Sequence, residues 1–361
     1  MNLSTGRTPW GLLGTVALMA VVEFFAGRSS LQLAPVRDAD WIRAERVATH
    51  RARAAEFLVL GDSMTKVGVL PMVLSHATGQ RGYSLAVVGG QAPSTYFLLK
   101  KALDSGAKPR RVVVNFLPSL LSRDYTYDNG QWPMLLGVRD GLDLAWHARD
   151  AGLLARIWLG DLLPSCRGRG GLRTWLKASL DGGDEEMRVI SRGHLRNWSQ
   201  NRGAMVLAGH FQSKVKVEDW YRVDFPRPWE AVPINTAYLS RFLDLAASRG
   251  IAVQWLVTPL RGSTRAILAR HCQEARYLDY VREWAARYPN VEVVDARDGF
   301  DDGHFVDPVH LNREGARLLS GRLALTFARP PRPGAWTPLP AAGVAAEVAV
   351  EDLHESVGLV R

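Results

Sequence analysis

Two short motifs, far apart in the chain, carry the residue types of nucleophilic catalysis. The first, Gly61-Asp62-Ser63-Met64, directly follows the apolar run FLVL and precedes a helical stretch. A serine at such a strand-to-helix turn exposes its Oγ at the edge of a sheet. Its amide lies at a helix N-terminus, where an oxyanion is stabilised. The same tripeptide also suits an ordinary turn that caps a helix, so the motif alone does not establish catalysis.

The second motif is Asp307-Pro308-Val309-His310, within the stretch DDGHFVDPVHLNREGARLL. Its proline discourages a helix and favours a shaped loop. A serine needs a neighbouring base to lose its proton, and an imidazole base needs an anionic partner to fix its tautomer. Ser63, His310 and Asp307 supply these three roles, and the two motifs together are stronger evidence than either alone.

Two other interpretations of the second motif remain open at this point. In one, Asn312 caps the last helix and the motif is only a polar loop. In the other, zinc or manganese is bound by histidines and aspartates that cluster along this loop: His304, Asp307, His310, Asp301 and Asp302. The metal interpretation leaves Ser63 unused and has no ligand from elsewhere in the chain. We therefore expect no metal and no other cofactor.

The segments around the motifs predict the fold that positions them. Short apolar runs alternate with helical stretches, which is typical of a parallel α/β sheet. The predicted strands cover residues 57–60, 83–88, 111–117, 251–257 and 291–294. The predicted helices cover residues 67–78, 95–105, 236–248, 264–288 and 312–327. We expect a three-layer α/β sandwich of about five parallel strands in flavodoxin-like order, with both motifs at its carboxyl edge.

With these motifs in this order, the chain resembles the SGNH (GDSL) hydrolase superfamily. Gly61-Asp62-Ser63 matches the first family block, and Asp307-Pro308-Val309-His310 matches the D-x-x-H block. The resemblance covers residues 57–117 and 251–327. Within the superfamily, the chain is similar to the membrane-anchored bacterial proteins of alginate O-acetylation and teichoic-acid D-alanylation.

The other two family blocks contribute to the oxyanion hole and match less regularly. The second-block glycine, whose amide joins that hole, corresponds to Gly89, with Gly90 as the neighbouring alternative. The third block of the family is G-x-N-D, whereas this chain reads VVVNFLPSLLS. Asn115 comes early, inside the predicted strand, and Ser119 takes the standard position. Asn115 either directs its amide into the site or is a buried strand residue satisfied locally.

The resemblance implies a serine esterase or O-acyltransferase. Ser63 attacks an ester carbonyl, His310 acts as general base and then acid, and Asp307 orients His310. The amides of Ser63 and Gly89, with Asn115, bind the oxyanion. The implied substrate is an acylated cell-envelope polysaccharide or related ester, and an implied partner is a membrane-bound acyl-donor protein.

Two alternatives stand beside this enzyme. One is a catalytically weak SGNH-like subunit that binds glycan or serves as a scaffold in an envelope assembly. The irregular third block and the tryptophan-rich segment 120–233 favour that alternative. The other is a membrane-bound thioesterase or lipase that faces the cytoplasm.

The N-terminus carries the one long apolar segment of the chain. Residues 10–22 read WGLLGTVALMAVV, and the apolar run continues beyond Glu23 to about the length that spans a bilayer. We expect an uncleaved anchor over residues 1–28, then a solvated stalk helix over residues 29–55. A cleaved signal peptide is the alternative, since Arg7 precedes the run, although no clean cleavage site follows.

Charge and resemblance disagree on the orientation of this segment. Arg7 and the amino terminus are the only positive charges before it, whereas six arginines follow by residue 53. The positive-inside rule would place the main domain in the cytoplasm. The related proteins imply a single-pass protein with an extracytoplasmic catalytic domain, and we adopt that expectation.

Beyond the anchor, we expect one α/β domain over residues 56–328 and a disordered, proline-rich tail over residues 329–361. A mostly helical insert, residues 120–233, separates the third and fourth strands. Its tryptophans either cover the active-site mouth or pack against the sheet edge. The sequence leaves open whether Cys166 and Cys272 form a disulfide.

The composition of the 361 residues excludes several other classes of protein. The chain is 47% hydrophobic and 22% charged, which is typical of a globular protein. Its net charge is +9, but only seven of the 45 basic residues are lysines, and the arginines are scattered along the chain. No nucleic-acid-binding motif accompanies them, so we expect no nucleic-acid partner. Two cysteines exclude a disulfide-dense scaffold, and a single apolar segment excludes a multi-spanning transporter.

Overall fold

The computed structural model describes residues 10–33, 35–209, 229–270, 273–332, 334–343 and 348–360. Six parallel strands form its sheet, in the order β2-β1-β3-β4-β5-β6. The strands are β1 Phe57–Gly61, β2 Gly82–Ser84, β3 Arg111–Asn115, β4 Ala252–Val257, β5 Val291–Asp295 and β6 Trp336–Pro338. The prediction of a parallel α/β sheet is confirmed, and the first five strands have the predicted order.

Seventeen α-helices are described, and most of them flank the sheet or form the insert. In chain order they are α1 Trp10–Leu33, α2 Val36–His50, α3 Ser63–Gly68, α4 Pro71–Thr78, α5 Ala92–Asp104, α6 Pro118–Leu121, α7 Trp132–Leu135, α8 Val138–Ala148, α9 Ala151–Leu162, α10 Pro164–Arg167, α11 Arg169–Leu180, α12 Asp184–Gln200, α13 Pro233–Ser248, α14 Gly262–Arg270, α15 Gln273–Arg287, α16 Arg313–Phe327 and α17 Leu353–Gly358. Short 3-10 helices cover Ala52–Ala54, Tyr125–Asp128 and Asp302–His304.

The strands are buried on both faces, and their side chains divide between two cores. Leu58 and Leu60 of β1 join a core that includes side chains of α2, α5, α13 and α15. Phe57 and Val59 point to the opposite face, against α4 and α16. This period of two is the alternation of a β-strand, and apolar residues in both phases fit a sheet covered by helices on both sides. The three-layer arrangement follows.

The expected stalk helix is instead packed against the domain. Helix α2 buries one face that contains Trp41 and several alanines. The indole of Trp41 is fully buried and lies edge-on to the ring of Trp132 at 5.4 Å. Small alanines allow the helix to approach the domain closely, and only Arg46 of its three arginines is exposed, whereas Arg37 and Arg43 are partly buried. Within the expected stalk, residues 36–50 are therefore not a solvated spacer.

The expected disordered tail also contributes to the fold. Strand β6 pairs in parallel with β5, so it extends the sheet by one edge strand. Helix α17 packs on α12, and its N-terminus is capped by Asp352, which accepts the Glu355 amide at 2.9 Å. Prolines are tolerated in an edge strand because one side of that strand needs no ladder partner. A proline-rich composition therefore did not prevent pairing here.

The N-terminal residues form helix α1, which rests on the insert. Glu23 accepts hydrogen bonds from the Ser165 amide and hydroxyl at the start of α10. Within the described part of the chain, no helix combines the length and apolar character needed to cross a membrane. The expectation of an N-terminal transmembrane helix thus has no support from the structure, and residues 1–9 of the expected anchor lie outside the described residues.

The insert is mostly helical where it is described, as predicted. Its tryptophans divide between core and surface: Trp132, Trp198 and Trp229 are buried, whereas the Trp146 side chain is 79% exposed. Trp220 lies outside the described residues. Cys166 is exposed and forms no disulfide within the described part of the chain, and Cys272 lies outside that part, so their pairing stays open.

Candidate active site

The nucleophile turn is built by Gly61 and Asp62. Gly61 ends β1 with φ +116°, a conformation that other residues rarely adopt. A Cβ at this position would lie 2.2 Å from the Asn115 carbonyl oxygen, so glycine is also required sterically. Asp62 caps α3 by accepting the Met64 amide at 2.9 Å. Ser63 is therefore the first residue of α3 and follows directly from the carboxyl end of a central strand.

The three residues predicted from the two motifs lie in one hydrogen-bonded chain. The Ser63 Oγ lies 2.8 Å from His310 Nε2, and His310 Nδ1 lies 2.7 Å from Asp307 Oδ2. The other Asp307 oxygen accepts the amides of Val309 and His310 at 2.9 and 2.7 Å. These hydrogen bonds from the backbone amides fix the position of the Asp307 carboxylate within its own loop. The side chains of His310 and Asp307 are 23% and 19% exposed, so these hydrogen-bonded residues are accessible to solvent.

The charges around His310 raise the pKa of its imidazole ring, so this ring can act as a base. Burial opposes protonation of the ring, but the hydrogen bond and charge of Asp307, with the charge of Asp62, raise the pKa of His310. Burial of Asp307 would raise its own pKa, but the bonds from His310 and the loop amides lower it. Asp307 is thus ionised when His310 is neutral. In that state Nδ1–H donates to Asp307 and Nε2 accepts the Ser63 hydroxyl proton.

Two backbone amides of the serine and glycine motifs have no acceptor among the described residues. No described residue accepts a hydrogen bond from the amide of Ser63 or of Gly89. The alternative donor, Gly90, already donates to the Val87 carbonyl at 3.0 Å. A Cβ on Gly90 would lie 2.6 Å from the Gly61 carbonyl oxygen, so this loop lies against the nucleophile turn.

The third family block has a different arrangement from the first two. Asn115 is buried at the end of β3 and donates from Nδ2 to Asp62 Oδ1 at 3.4 Å. This long bond satisfies its amide locally, the alternative that the sequence left open. Ser119 is buried in α6. The serine, histidine and glycine blocks thus converge on one place, whereas Asn115 contacts the carboxylate behind the nucleophile.

The loop that carries His310 does not assemble a metal site. His304 Nδ1 pairs with Asp301 at 2.9 Å, and His310 is engaged by Asp307 and Ser63. Among the described residues, no group of three or more His, Cys, Asp or Glu side chains is placed to hold a metal ion.

Residues that sequence reasoning did not single out surround the site. Burial raises the pKa of Asp62 to about 6, although the amides of Leu117 and Met64 lower it. Lys66, three residues after Ser63, is buried beside Asp40 of α2. The signal for Asp62 was present, since aspartate is a common helix cap. Nothing in the sequence pairs Lys66 with Asp40.

An apolar cavity of about 30 Å³ lies beside the nucleophile helix. Its lining includes Met64, Leu117 and Tyr277. Met64 and Leu117 also belong to a small apolar cluster with Val309 of the histidine loop. The cavity is thus formed between the nucleophile helix, the end of β3, the segment after β4 and helices α14 and α15.

No protein-family model matches this chain, and no curated protein matches it in sequence. The geometry of the site and the motif resemblance are therefore the basis for assigning a function.

Proposed function

We propose that this protein performs SGNH-type serine acyl-ester chemistry, as an esterase or an O-acyltransferase. The observation that carries the proposal is the hydrogen-bonded chain from Ser63 through His310 to Asp307. A nucleophile, a base and an orienting carboxylate in this order define the chemistry by geometry rather than by sequence position. The free amides of Ser63 and Gly89 support it further.

The steps follow from the groups present. Ser63 Oγ attacks the ester carbonyl carbon while His310 Nε2 takes the hydroxyl proton. The carbonyl oxygen becomes an oxyanion near the Ser63 and Gly89 amides. When the tetrahedral intermediate collapses, His310 returns the proton to the leaving alcohol and an acyl-serine remains. Water then gives a free acid, or a sugar hydroxyl gives a new ester, with His310 again as base.

The substrate class rests on the resemblance. We propose an acylated cell-envelope polysaccharide or a related ester, an acyl group as small as acetyl, and a membrane-bound acyl-donor protein as partner. The small apolar cavity beside Met64 is consistent with a short acyl chain. Membrane attachment through α1 and an extracytoplasmic catalytic domain belong to the same proposal.

A fluorophosphonate probe tests the chemistry on the full chain. Activated Ser63 would displace fluoride and retain the phosphonyl group, which peptide mass spectrometry locates. We expect labelling at Ser63 that is lost in Ser63→Ala and in His310→Ala. His304→Ala is the matched control, since His304 lies on the same loop but pairs with Asp301. A folded protein that is not labelled at Ser63 would contradict the proposal.

A second candidate function, glycan binding by a catalytically weak subunit, is favoured by the surface of the insert. A cleft of about 540 Å³ between α8 and α9 is lined by the exposed Trp146 and by Arg149. Exposed indole faces stack on sugar rings, and arginine donates to hydroxyls or carboxylates. Glycan-array binding that is lost in Trp146→Ala, in a chain without labelling at Ser63, would favour this candidate.

A further inference from the structure

The backbone of Val88, the residue just before Gly89, is held by helix α2 through both its amide and its carbonyl group. The Val88 amide donates to Asp40 Oδ2 at 2.8 Å, and the Val88 carbonyl accepts from Trp41 Nε1 at 3.0 Å. Asp40 and Trp41 are consecutive residues. Two hydrogen bonds on one residue's backbone fix its position and its rotation, so they also determine where the following amide, that of Gly89, points.

The same aspartate binds the nucleophile helix. Asp40 Oδ1 lies 2.5 Å from Lys66 Nζ, and both side chains are at most 3% exposed. Lys66 is on α3, one turn after Ser63. Its ammonium group also donates to the carbonyls of Ala86 and Gly203, at 3.3 and 3.0 Å. Ala86 belongs to the segment that leads into Gly89, so Lys66 contacts that segment directly as well as through Asp40.

We propose that Asp40, Trp41 and Lys66 are positioning residues that hold the Gly89 amide in register with Ser63. The inference rests on the proposed function, because it assigns these residues to its oxyanion hole. Burying a charged pair is expensive, and an apolar pair of similar size often stabilises a fold equally well. A buried Asp–Lys pair that also binds the Val88 amide fits a positioning role better than a purely stabilising one.

Double substitutions of Asp40 and Lys66 distinguish the effect of the Val88–Asp40 hydrogen bond from the effect of the buried charges. In Asp40→Asn/Lys66→Met, no charge is buried, and the carbonyl oxygen of the introduced asparagine can still accept the Val88 amide. In Asp40→Leu/Lys66→Met, the pair is again neutral, but the acceptor is gone. Trp41→Phe removes the donor to the Val88 carbonyl and also makes a buried side chain smaller. Trp132→Phe is its matched control, because Trp132 is equally buried and donates instead to the Tyr125 carbonyl at 2.9 Å.

Two measurements on the full chain test the proposal. Hydrogen exchange of the peptide covering residues 85–92 reports how strongly the loop is protected. The fluorophosphonate labelling rate reports whether the loop position affects the reactivity of Ser63. In Asp40→Leu/Lys66→Met and in Trp41→Phe we expect faster exchange and labelling slowed by about 100-fold, as for a displaced or lost oxyanion donor. The acceptor-retaining double variant loses the Lys66 contacts but keeps the acceptor for the Val88 amide, so it should be slowed clearly less than the acceptor-free double variant. Trp132→Phe should stay within a few-fold of the unaltered chain.

The outcomes distinguish this inference from the proposed function. Unchanged exchange in folded Asp40→Leu/Lys66→Met, judged by its thermal unfolding midpoint, would overturn the proposal. Faster exchange with an unchanged labelling rate would also overturn it, because the loop would then be held for stability alone. If the unaltered chain is never labelled at Ser63, the proposed function fails and the positioning role for catalysis fails with it. The exchange data then still show whether α2 holds the loop.

Discussion

The carboxylate of Asp62 joins the nucleophile turn to the neighbouring strand end by accepting the Leu117 amide. Its other oxygen caps α3 through Met64 and also meets the Asn115 side chain. Asp62 is fully buried, and burial raises its pKa to about 6. The side chain directly before Ser63 is therefore held against a substantial desolvation cost, and its charge acts on His310.

Asp62 is expected to make stability depend on pH. Because its folded-state pKa lies above the ordinary value of 3.8, its contribution is fully present below about pH 4 and is lost as the pH rises through about 6. The shift corresponds to about 3 kcal/mol. In Asp62→Asn this dependence disappears, so the stability difference between the unaltered chain and the variant should change by about that amount between pH 4 and pH 7.

Urea denaturation at both pH values measures this difference. Asp301→Asn is the control, because Asp301 also caps a short helix but is 78% exposed. Parallel pH dependences for the unaltered chain and Asp62→Asn would contradict the expectation.

Asp307→Asn should lower activity while leaving the fold intact. The hydrogen bond and charge of Asp307 raise the pKa of His310 against burial, and they select the tautomer that accepts the serine proton. An amide at this position carries no charge and stabilises the wrong tautomer. We expect kcat/KM toward p-nitrophenyl acetate to fall by about 10³–10⁴-fold. The acidic limb of the residual pH profile should move to lower pH, because His310 loses its stabilised protonated form.

A pH profile of kcat/KM for the two proteins is the measurement. Asp302→Asn serves as the comparison, since this carboxylate lies on the same loop but binds Arg261 at 3.3 Å. Full activity in Asp307→Asn would show that His310 needs no orienting carboxylate.

Sequence patterns predicted the sheet and the convergence of Ser63 with His310 for one physical reason. The carboxyl ends of parallel strands share one edge, so loops after β1 and β5 meet wherever they lie in the chain. Apolar runs located those strands to within a few residues. Residues 85–88, predicted as strand, lie beyond β2. The Leu85 and Val87 amides still donate to β1, whereas the Val88 amide donates to Asp40.

The parts that composition did not predict are those determined by tertiary contacts. Arginine-rich α2 suggested a solvated spacer, but its alanines and Trp41 form a buried face. The tail sequence predicts disorder, because the three-residue strand β6 is too short to show the alternating hydrophobic pattern of a strand. The locally satisfied Asn115 amide and the Asp40–Lys66 pair depend on partners far away in sequence, which no local pattern indicates.

Gly89→Ala should impair catalysis more than its conformational strain explains. Gly89 has φ +77°, and a Cβ there would lie 2.4 Å from Arg37 Nη2. Gly79→Ala is a close control, because Gly79 has φ +72° with nothing within 4 Å of its Cβ position. Both variants should lose about 1 kcal/mol of stability to the left-handed backbone. Only Gly89→Ala must also displace Arg37 or the loop.

We expect the Ser63 labelling rate to fall by about 100-fold in Gly89→Ala and to be unchanged in Gly79→Ala. Thermal unfolding of both variants separates the strain from the catalytic effect. Equal labelling rates in the two variants would argue against Gly89 as an oxyanion donor.

The tail is expected to stabilise the fold because its residues bind the buried carboxylate of Glu292. This carboxylate is fully buried on β5, and its ion-pair partner Arg329 lies 2.5 Å away in the tail. Thr337 and the Arg332 amide, also from the tail, donate to it at 3.0 and 3.3 Å. Arg329→Met leaves a buried carboxylate without its hydrogen-bonded ion-pair partner, which should cost about 3 kcal/mol.

The pH dependence identifies the cause of that loss. Burial of Glu292 would raise its pKa, but Arg329 and the other donors lower it overall. Its stabilisation is therefore present above the unfolded-state pKa and lost as the pH falls, so the difference between the unaltered chain and Arg329→Met should shrink in acid. Arg287→Met removes an exposed partner of Glu283 and should change the urea midpoint little. If Arg329→Met behaved like Arg287→Met, the tail would not stabilise β5 through this charge.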